Sequence, residues 1–213
     1  MPVKYAPGDC LPYRSTNLSY VPVELSDEFN NFAKFLLTEE SMPNLDMNLP
    51  AGMTRARVEE NVASLADETL LSMYIYHPAE YCPGEREPVG LVSLSKPENG
   101  QAHHGCSSLT VLISSEYREF EYASEATRWA LRWGFEFGRL HRIEVSFPEW
   151  NQEAFRFYEQ MGFKMEGMRR KAIWYMGCWH GSYLFGMLED EWRREFKVKD
   201  MDSDKVSKIM STD

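Results

Sequence analysis

The stretch from Leu109 to Gly167 holds the residues best placed to do chemistry. Its spacing predicts a strand, a short loop with Arg118, a helix, a strand, an Asn151-capped helix, a Gly162-Phe163 step and another strand. A strand-helix-strand unit of this kind presents a helix N-terminus beside the end of a strand. Backbone N–H groups at such an end, helped by the helix dipole, can hold a phosphate.

Other chemistries find less support. Cys10, Cys82, Cys106 and Cys178 lie far apart without a Cys-x-x-Cys pair, so they read as reduced thiols. The five histidines miss zinc-ligand spacings, and no metal site is expected. His103-His104 reads as a solvated loop whose adjacent side chains point apart. No nucleophile stands beside a base in the sequence, which argues against a covalent intermediate. The net charge of -10 repels phosphate backbones and excludes nucleic acid as a favoured partner. The same field favours cationic small molecules or peptides. No apolar run approaches the ~20 residues of a membrane span. The segment from Met1 to Gly8 lacks the apolar core of a secretory signal, so a cytoplasmic location is expected.

The elements that must position the site follow from periodicity. With 213 residues and 43% hydrophobic content, one domain with a sizeable core is expected across 1–213. An irregular arm covers 1–19, the core runs over about 20–192, and a charged, frayed tail covers 193–213. Tyr20 to Leu25 reads as an edge strand because of Pro22. Ser26 or Asp27 caps a helix, a loop broken by Pro43, Pro50 and Gly52 follows, and Thr54 to Leu65 reads as a second helix. Leu70 to Tyr76, Pro88 to Ser95 and Ser107 to Ile113 form an antiparallel meander, turning first at Pro83-Gly84. From Tyr122, the apolar face of a helix carries Ala126, Trp129, Ala130, Trp133 and Phe137, and Gly138 ends it. His141 to Phe147 alternates as a strand with Ile143 and Val145 inward, closed by Pro148. Gly162 stops the helix begun at Asn151, and strands from Phe163 to Tyr175 and Cys178 to Leu188 join at Met176-Gly177.

At this level the chain resembles the GNAT superfamily of acyl-CoA N-acyltransferases, in a branch similar to ribosomal-protein alanine acetyltransferases. The family's late signature, Asn-x-x-Ala-x-x-x-Tyr-x-x-x-Gly-Phe, is complete as Asn151, Ala154, Tyr158, Gly162 and Phe163. Its phosphate loop, Gln/Arg-x-x-Gly-x-Gly/Ala, corresponds to Arg118-Glu119-Phe120-Glu121-Tyr122-Ala123. Glu166-Gly167 and the run from Phe185 to Trp192 also look like that branch. The resemblance covers roughly Val21 to Trp192. It implies an α/β (α+β) fold: a mixed, mainly antiparallel sheet flanked by helices, with a splayed strand pair. It implies acetyl-CoA as co-substrate and transfer of its acetyl group to a primary amine, on a small molecule or peptide, by direct attack in a ternary complex. Backbone groups of Val111 and Ile113 would pair with the pantetheine arm, amides from Glu119 to Ser124 would hold the pyrophosphate, and Asn151 would bond the pantetheine. Tyr158 would sit near the sulfur, where a phenol can meet the charge of a leaving thiolate. The oligomeric state, a homodimer included, is left open.

Two departures bear on activity. The fourth loop position, usually glycine, is Glu121, and Glu119 adds a second acid. A carboxylate ~5 Å from a pyrophosphate costs roughly 1–3 kcal/mol. Many relatives carry a carboxylate in the strand before the loop, where this chain has Ser108. Glu144 is the candidate base, although a solvent-facing strand residue paired with an arginine describes it equally well. His103, His104 and His180 remain alternatives. The branch's acid near position 181 is replaced by Gly181. Tyr74, Tyr76, Trp174 and Trp179 either line an acceptor pocket or pack the core. Two other readings compete: a degenerate binding or regulatory member, and a CoA-independent enzyme reusing the fold.

Overall fold

The computed structural model describes residues 13–23, 69–77, 88–97, 100–117 and 121–195. The expected helices over 26–37 and 54–65, the Pro83-Gly84 turn, and Cys10 and Cys82 lie outside them. Seven strands pair in the order β1-β2-β3-β4-β5-β7-β6. They are β1 (Ser19–Pro22), β2 (Thr69–Tyr76), β3 (Gly90–Ser95), β4 (Cys106–Ile113), β5 (Arg142–Pro148), β6 (Lys164–Tyr175) and β7 (Cys178–Leu188). Helices α1 (Tyr122–Arg132) and α2 (Gln152–Gln160) accompany them, with a further helical segment over 189–195. The fold is mixed α/β with a mainly antiparallel sheet, as the sequence resemblance implied. Contacts divide it into two units, Met1–Lys96 with Leu109–Gly138 and Pro97–Ser108 with Arg139–Asp213.

In the first unit, β1, β2, β3 and the later part of β4 pair antiparallel. Pro22 sits at the end of edge strand β1, where its missing N–H breaks no ladder. Tyr74, Ile75, Val92 and Leu94 are fully buried. Tyr74 and Tyr76 thus belong to the core, not to an exposed pocket wall. Gly90 stands opposite Ile113, and a methyl there would overlap the Leu112 carbonyl, so only glycine allows the close approach. The described part of the arm, from Tyr13, packs on this unit. Tyr20 N–H donates to the Tyr13 carbonyl at 2.9 Å, Leu18 is fully buried, and Tyr20 stacks on Trp129 with centroids 3.7 Å apart.

Helix α1 follows the expected face only to Trp133. Trp133–Phe137 is a π-helix, with the Gly138 N–H reaching the Trp133 carbonyl five residues back. That wider turn rotates the register, burying Phe135 and leaving Phe137 57% exposed, contrary to the 3.6-residue expectation. Gly138 does not supply a left-handed stop; its φ is -74°, and Arg139 takes that role at φ 54°. Glycine at 138 answers to space instead, since a Cβ would lie 2.9 Å from the Gly134 carbonyl.

In the second unit, Cys106 to Ser108 run parallel to Arg142 to Glu144, and β7 lies between β5 and β6. Ile143, Val145, Phe185 and Met187 are nearly inaccessible, whereas Ser146 is exposed, which bears out the alternation expected for β5. Met176 and Gly177 both have positive φ, as a two-residue hairpin turn requires. Residues 189–195 are helical, so the part of the expected tail that is described is not frayed. Arg193 and Arg194 pair one turn back with Glu189 and Asp190. His103 and His104 sit in a 3-10 turn, Ala102–His104, which fans successive side chains by about a third of a turn. Their rings come to 3.9 Å instead of pointing apart.

Burial raises the pKa of Tyr74 from 10.0 to about 12 and also pushes up Tyr20. An unfolded tyrosine ionises near its ordinary value, so the burial of these neutral phenols stabilises fully below pH 10.0. The contribution is lost as pH rises from there through about 12. Urea unfolding at about pH 8 and about pH 11 will show the loss, and Tyr74→Phe will flatten it.

Candidate active site

The first unit offers a helix N-terminus. Ser114 is buried and donates its N–H to the Val89 carbonyl at 2.9 Å, anchoring the exit from β4. A 3-10 turn, Ser115–Tyr117, follows; Arg118, Glu119 and Phe120 lie outside the described residues. Glu121 occupies the N-cap of α1, is exposed, and makes no side-chain capping bond. The amides of the first turn, at Tyr122, Ala123 and Ser124, therefore lack the side-chain cap common at such ends. Tyr122 is half-buried, and burial, with Tyr117 and Glu125 adding to it, raises its pKa.

The first-turn acid is turned to structural use. Glu125 Oε1 accepts from Ser15 Oγ and from the Asn17 N–H, each at 2.6 Å, and Oε2 accepts from Asn17 Nδ2 at 3.0 Å. Three donors thus offset the Glu125 charge at the helix start. Along β4, Val111 pairs with Val92 and Ile113 with Gly90, both half-buried. Within this unit the strand is bonded along its β3 edge.

The second unit carries the remaining candidates. Asn151 Oδ1 accepts the Ala154 N–H at 3.0 Å, an N-cap as the sequence indicated. Gly162 ends α2 with φ 87°. Tyr158 is half-buried among rings, with Phe157, Phe163 and Phe147 centroids at 5.0, 5.3 and 5.7 Å. Burial pushes its pKa well above the ordinary phenol value, so it holds its proton throughout the neutral range.

Glu144 lies beside Ser108 in the parallel ladder, and Ser108 Oγ donates to its carboxylate at 3.4 Å. The carboxylate is thus next to Ser108, where the sequence resemblance leads one to expect an acid. The expected arginine partner is also present: Arg142 Nε lies 3.5 Å from Glu144 Oε2. That guanidinium is committed mainly to Glu166, which it grips with both terminal nitrogens, and the Glu166 hydrogen bond is the chief cause of its raised pKa. Trp174 and Trp179 are more than half exposed and pack edge to face on the β6–β7 hairpin.

The profile of the acetyltransferase (GNAT) domain matches residues 18–164. The chain belongs to this family. It is 32% identical over 81 residues to the uncharacterized N-acetyltransferase YnaD of Bacillus subtilis, covering 38% of this chain and 48% of that protein. It is 24% identical over 117 residues to the spermidine N(1)-acetyltransferase of Escherichia coli K12, covering 55% of this chain and 60% of the relative. The chain thus spans about half to three-fifths of the length of these relatives. The crystal structure of spermidine N-acetyltransferase from Vibrio cholerae, in complex with CoA and spermine, superposes with TM-score 0.68 at 18% identity. That match covers 83% of this chain and 98% of the other. The branch within the GNAT family rests on the sequence resemblance alone.

One arrangement was missed from the sequence. Cys178 Sγ lies 2.9 Å from His180 Nε2, and His180 Nδ1 lies 3.2 Å from Glu149 Oε1. The expectation that no nucleophile stands beside a base is therefore wrong. The signal was the Cys-x-His spacing on a predicted strand, which puts both side chains on one face. Glu149 gave no such signal, because it reaches the pair from the turn after β5.

Replacing the α2 cap with Asn151→Ala should destabilise the fold by about 1 kcal/mol, while Asn151→Asp keeps an acceptor and most of the stability. Urea denaturation of the two variants against wild type measures both.

Proposed function

We propose that this GNAT member transfers an acetyl group from acetyl-CoA to a primary amine, by direct attack in a ternary complex. The observation that carries the reading is the start of α1, where no side-chain cap occupies the first-turn amides just after a strand that precedes them. In this reading the amides from Glu119 to Ser124, with Arg118, hold the pyrophosphate, and main-chain groups of Val111 and Ile113 pair with the pantetheine. Asn151 contributes the polar atoms not used in its cap. Glu144 takes the proton from the attacking ammonium or amine, directly or through water. Tyr158, still protonated at neutral pH, donates to the departing thiolate. A backbone N–H of β4 stabilises the tetrahedral oxyanion.

The acceptor class follows from charge and kinship. A net charge of -10 attracts cations, and two comparisons above are with proteins named for spermidine. A small polycationic amine fits both better than a neutral one. Glu121 at the N-cap favours a second reading, a member that binds CoA weakly and does not turn over.

Titrating acetyl-CoA calorimetrically separates the two, with no detectable binding at millimolar cofactor eliminating the transferase. Glu121→Gly should tighten CoA binding several-fold where the carboxylate faces the phosphates. Tyr158→Phe should lower kcat roughly tenfold or more with little change in acetyl-CoA affinity; an unchanged kcat removes Tyr158 as the acid. Glu144→Gln should likewise lower kcat at neutral pH, read by free-thiol release across an amine panel.

A further inference from the structure

Outside the residues given roles in the proposed transfer, Cys178, His180 and Glu149 form a hydrogen-bonded chain in the second unit. Cys178 and His180 are two residues apart on β7, so their side chains leave the same face of the strand. The direction of the protons follows from the partners. An ionised carboxylate can only accept, so His180 Nδ1 carries the hydrogen and donates it to Glu149. In the neutral ring Nε2 then presents its lone pair to the Cys178 thiol at 2.9 Å. The other polar neighbour of Sγ, the Tyr175 carbonyl, is farther away at 3.6 Å.

The surroundings hold this geometry. Trp150 meets His180 edge-on with centroids 4.8 Å apart, and Tyr175 stacks on Trp150 at the same separation. Glu149 is tied to β7 by its own N–H, which donates to the Gly181 carbonyl at 3.0 Å. Gly181 leaves room for the acid, since a Cβ there would come within 2.7 Å of Glu149 Oε2. The side chains of His180 and Glu149 are 23% and 35% exposed, while Cys178 is exposed outright. Cys178 is thus open to solvent, and His180 is the most covered of the three. Among the described residues no group of these types converges on a metal position.

We propose that Cys178 is a nucleophilic thiol, with His180 as its base and Glu149 as a positioning residue, and that it accepts acyl groups from small activated esters or thioesters. The Sγ proton passes to His180 Nε2 as Sγ attacks the carbonyl carbon. The bond from that carbon to the leaving oxygen or sulfur breaks, and His180 returns the proton to the departing atom. The products are an S-acyl thioester on Cys178 and a free alcohol or thiol. No oxidant, metal or CoA takes part, so the step stands apart from amine acetylation.

Para-nitrophenyl acetate, mixed with the full chain near neutral pH without CoA, tests this. The expected result is a burst approaching one para-nitrophenolate per chain, with the acetyl mass mapped to the Cys178 peptide. Cys178→Ser should abolish the burst, and His180→Gln should slow it roughly tenfold or more. Glu149→Ala should slow it as well, and Glu149→Gln, which keeps an acceptor oxygen on the imidazole, should recover much of the rate. Thermal melts confirm that each variant is folded. Absence of a burst, a label on another residue, or a wild-type rate in His180→Gln overturns the proposal. Should His180→Gln fail to fold, iodoacetamide mapping of the wild type decides. Cys106, whose Sγ faces the His104 carbonyl at 3.5 Å instead of an imidazole nitrogen, is the internal reference. Faster alkylation of Cys178 upholds the assignment, and equal rates refute it.

Discussion

The two-sided hydrogen bonding of β7 is the constraint on which the second unit depends. Its residues from Ser182 to Leu188 pair with Pro148 to Arg142 on one edge, while β6 occupies the other. A strand bonded on both edges cannot slip by one residue without turning every side chain over. Phe185 and Met187 are thereby held inward, each burial contributing about 1.5–3 kcal/mol. Phe185 and Phe147 together supply aromatic surface beneath α2, and Phe147 stacks on Tyr158. The same register sets Cys178 and His180 on a common face and brings the Gly181 carbonyl to the Glu149 amide. One ladder thus positions both the Tyr158 phenol and the thiol-imidazole pair.

Charge at the start of α1 is handled in a comparable, local way. Glu121 and Glu125 both stand at this helix start, yet Glu125 is held by Ser15 and Asn17 of the N-terminal turn. The turn is itself anchored by Leu18 and by the stacking of Tyr20 on Trp129. A segment that looks irregular therefore performs an electrostatic task, relieving the helix end of one negative charge while Glu121 remains in solvent.

Asn151 and Gly162 were legible because each acts within its own helix or turn. The cap bond spans three residues, and the stop needs only a residue tolerant of positive φ. The alternation of β5 was legible for the same reason. Phe137 and Phe135 were exchanged in burial because a π-turn, which composition does not announce, adds residues to the helical repeat. The left-handed stop fell on Arg139 and not on Gly138, since close packing against Gly134 claimed the glycine.

The sequence by itself determined which segments are strands or helices over most of the described chain, the family to which they belong, and the identity of the capped helix bearing Tyr158. Those properties follow from short-range sterics and from the period at which apolar side chains recur. Tertiary structure alone decided which carboxylate serves which neighbour: Glu125 meets Asn17 across 108 residues, Glu144 meets Ser108 across 36, and Glu149 meets His180 across 31. Spacing along a chain carries no record of such meetings, because they depend on strand register and on where a turn releases its side chain.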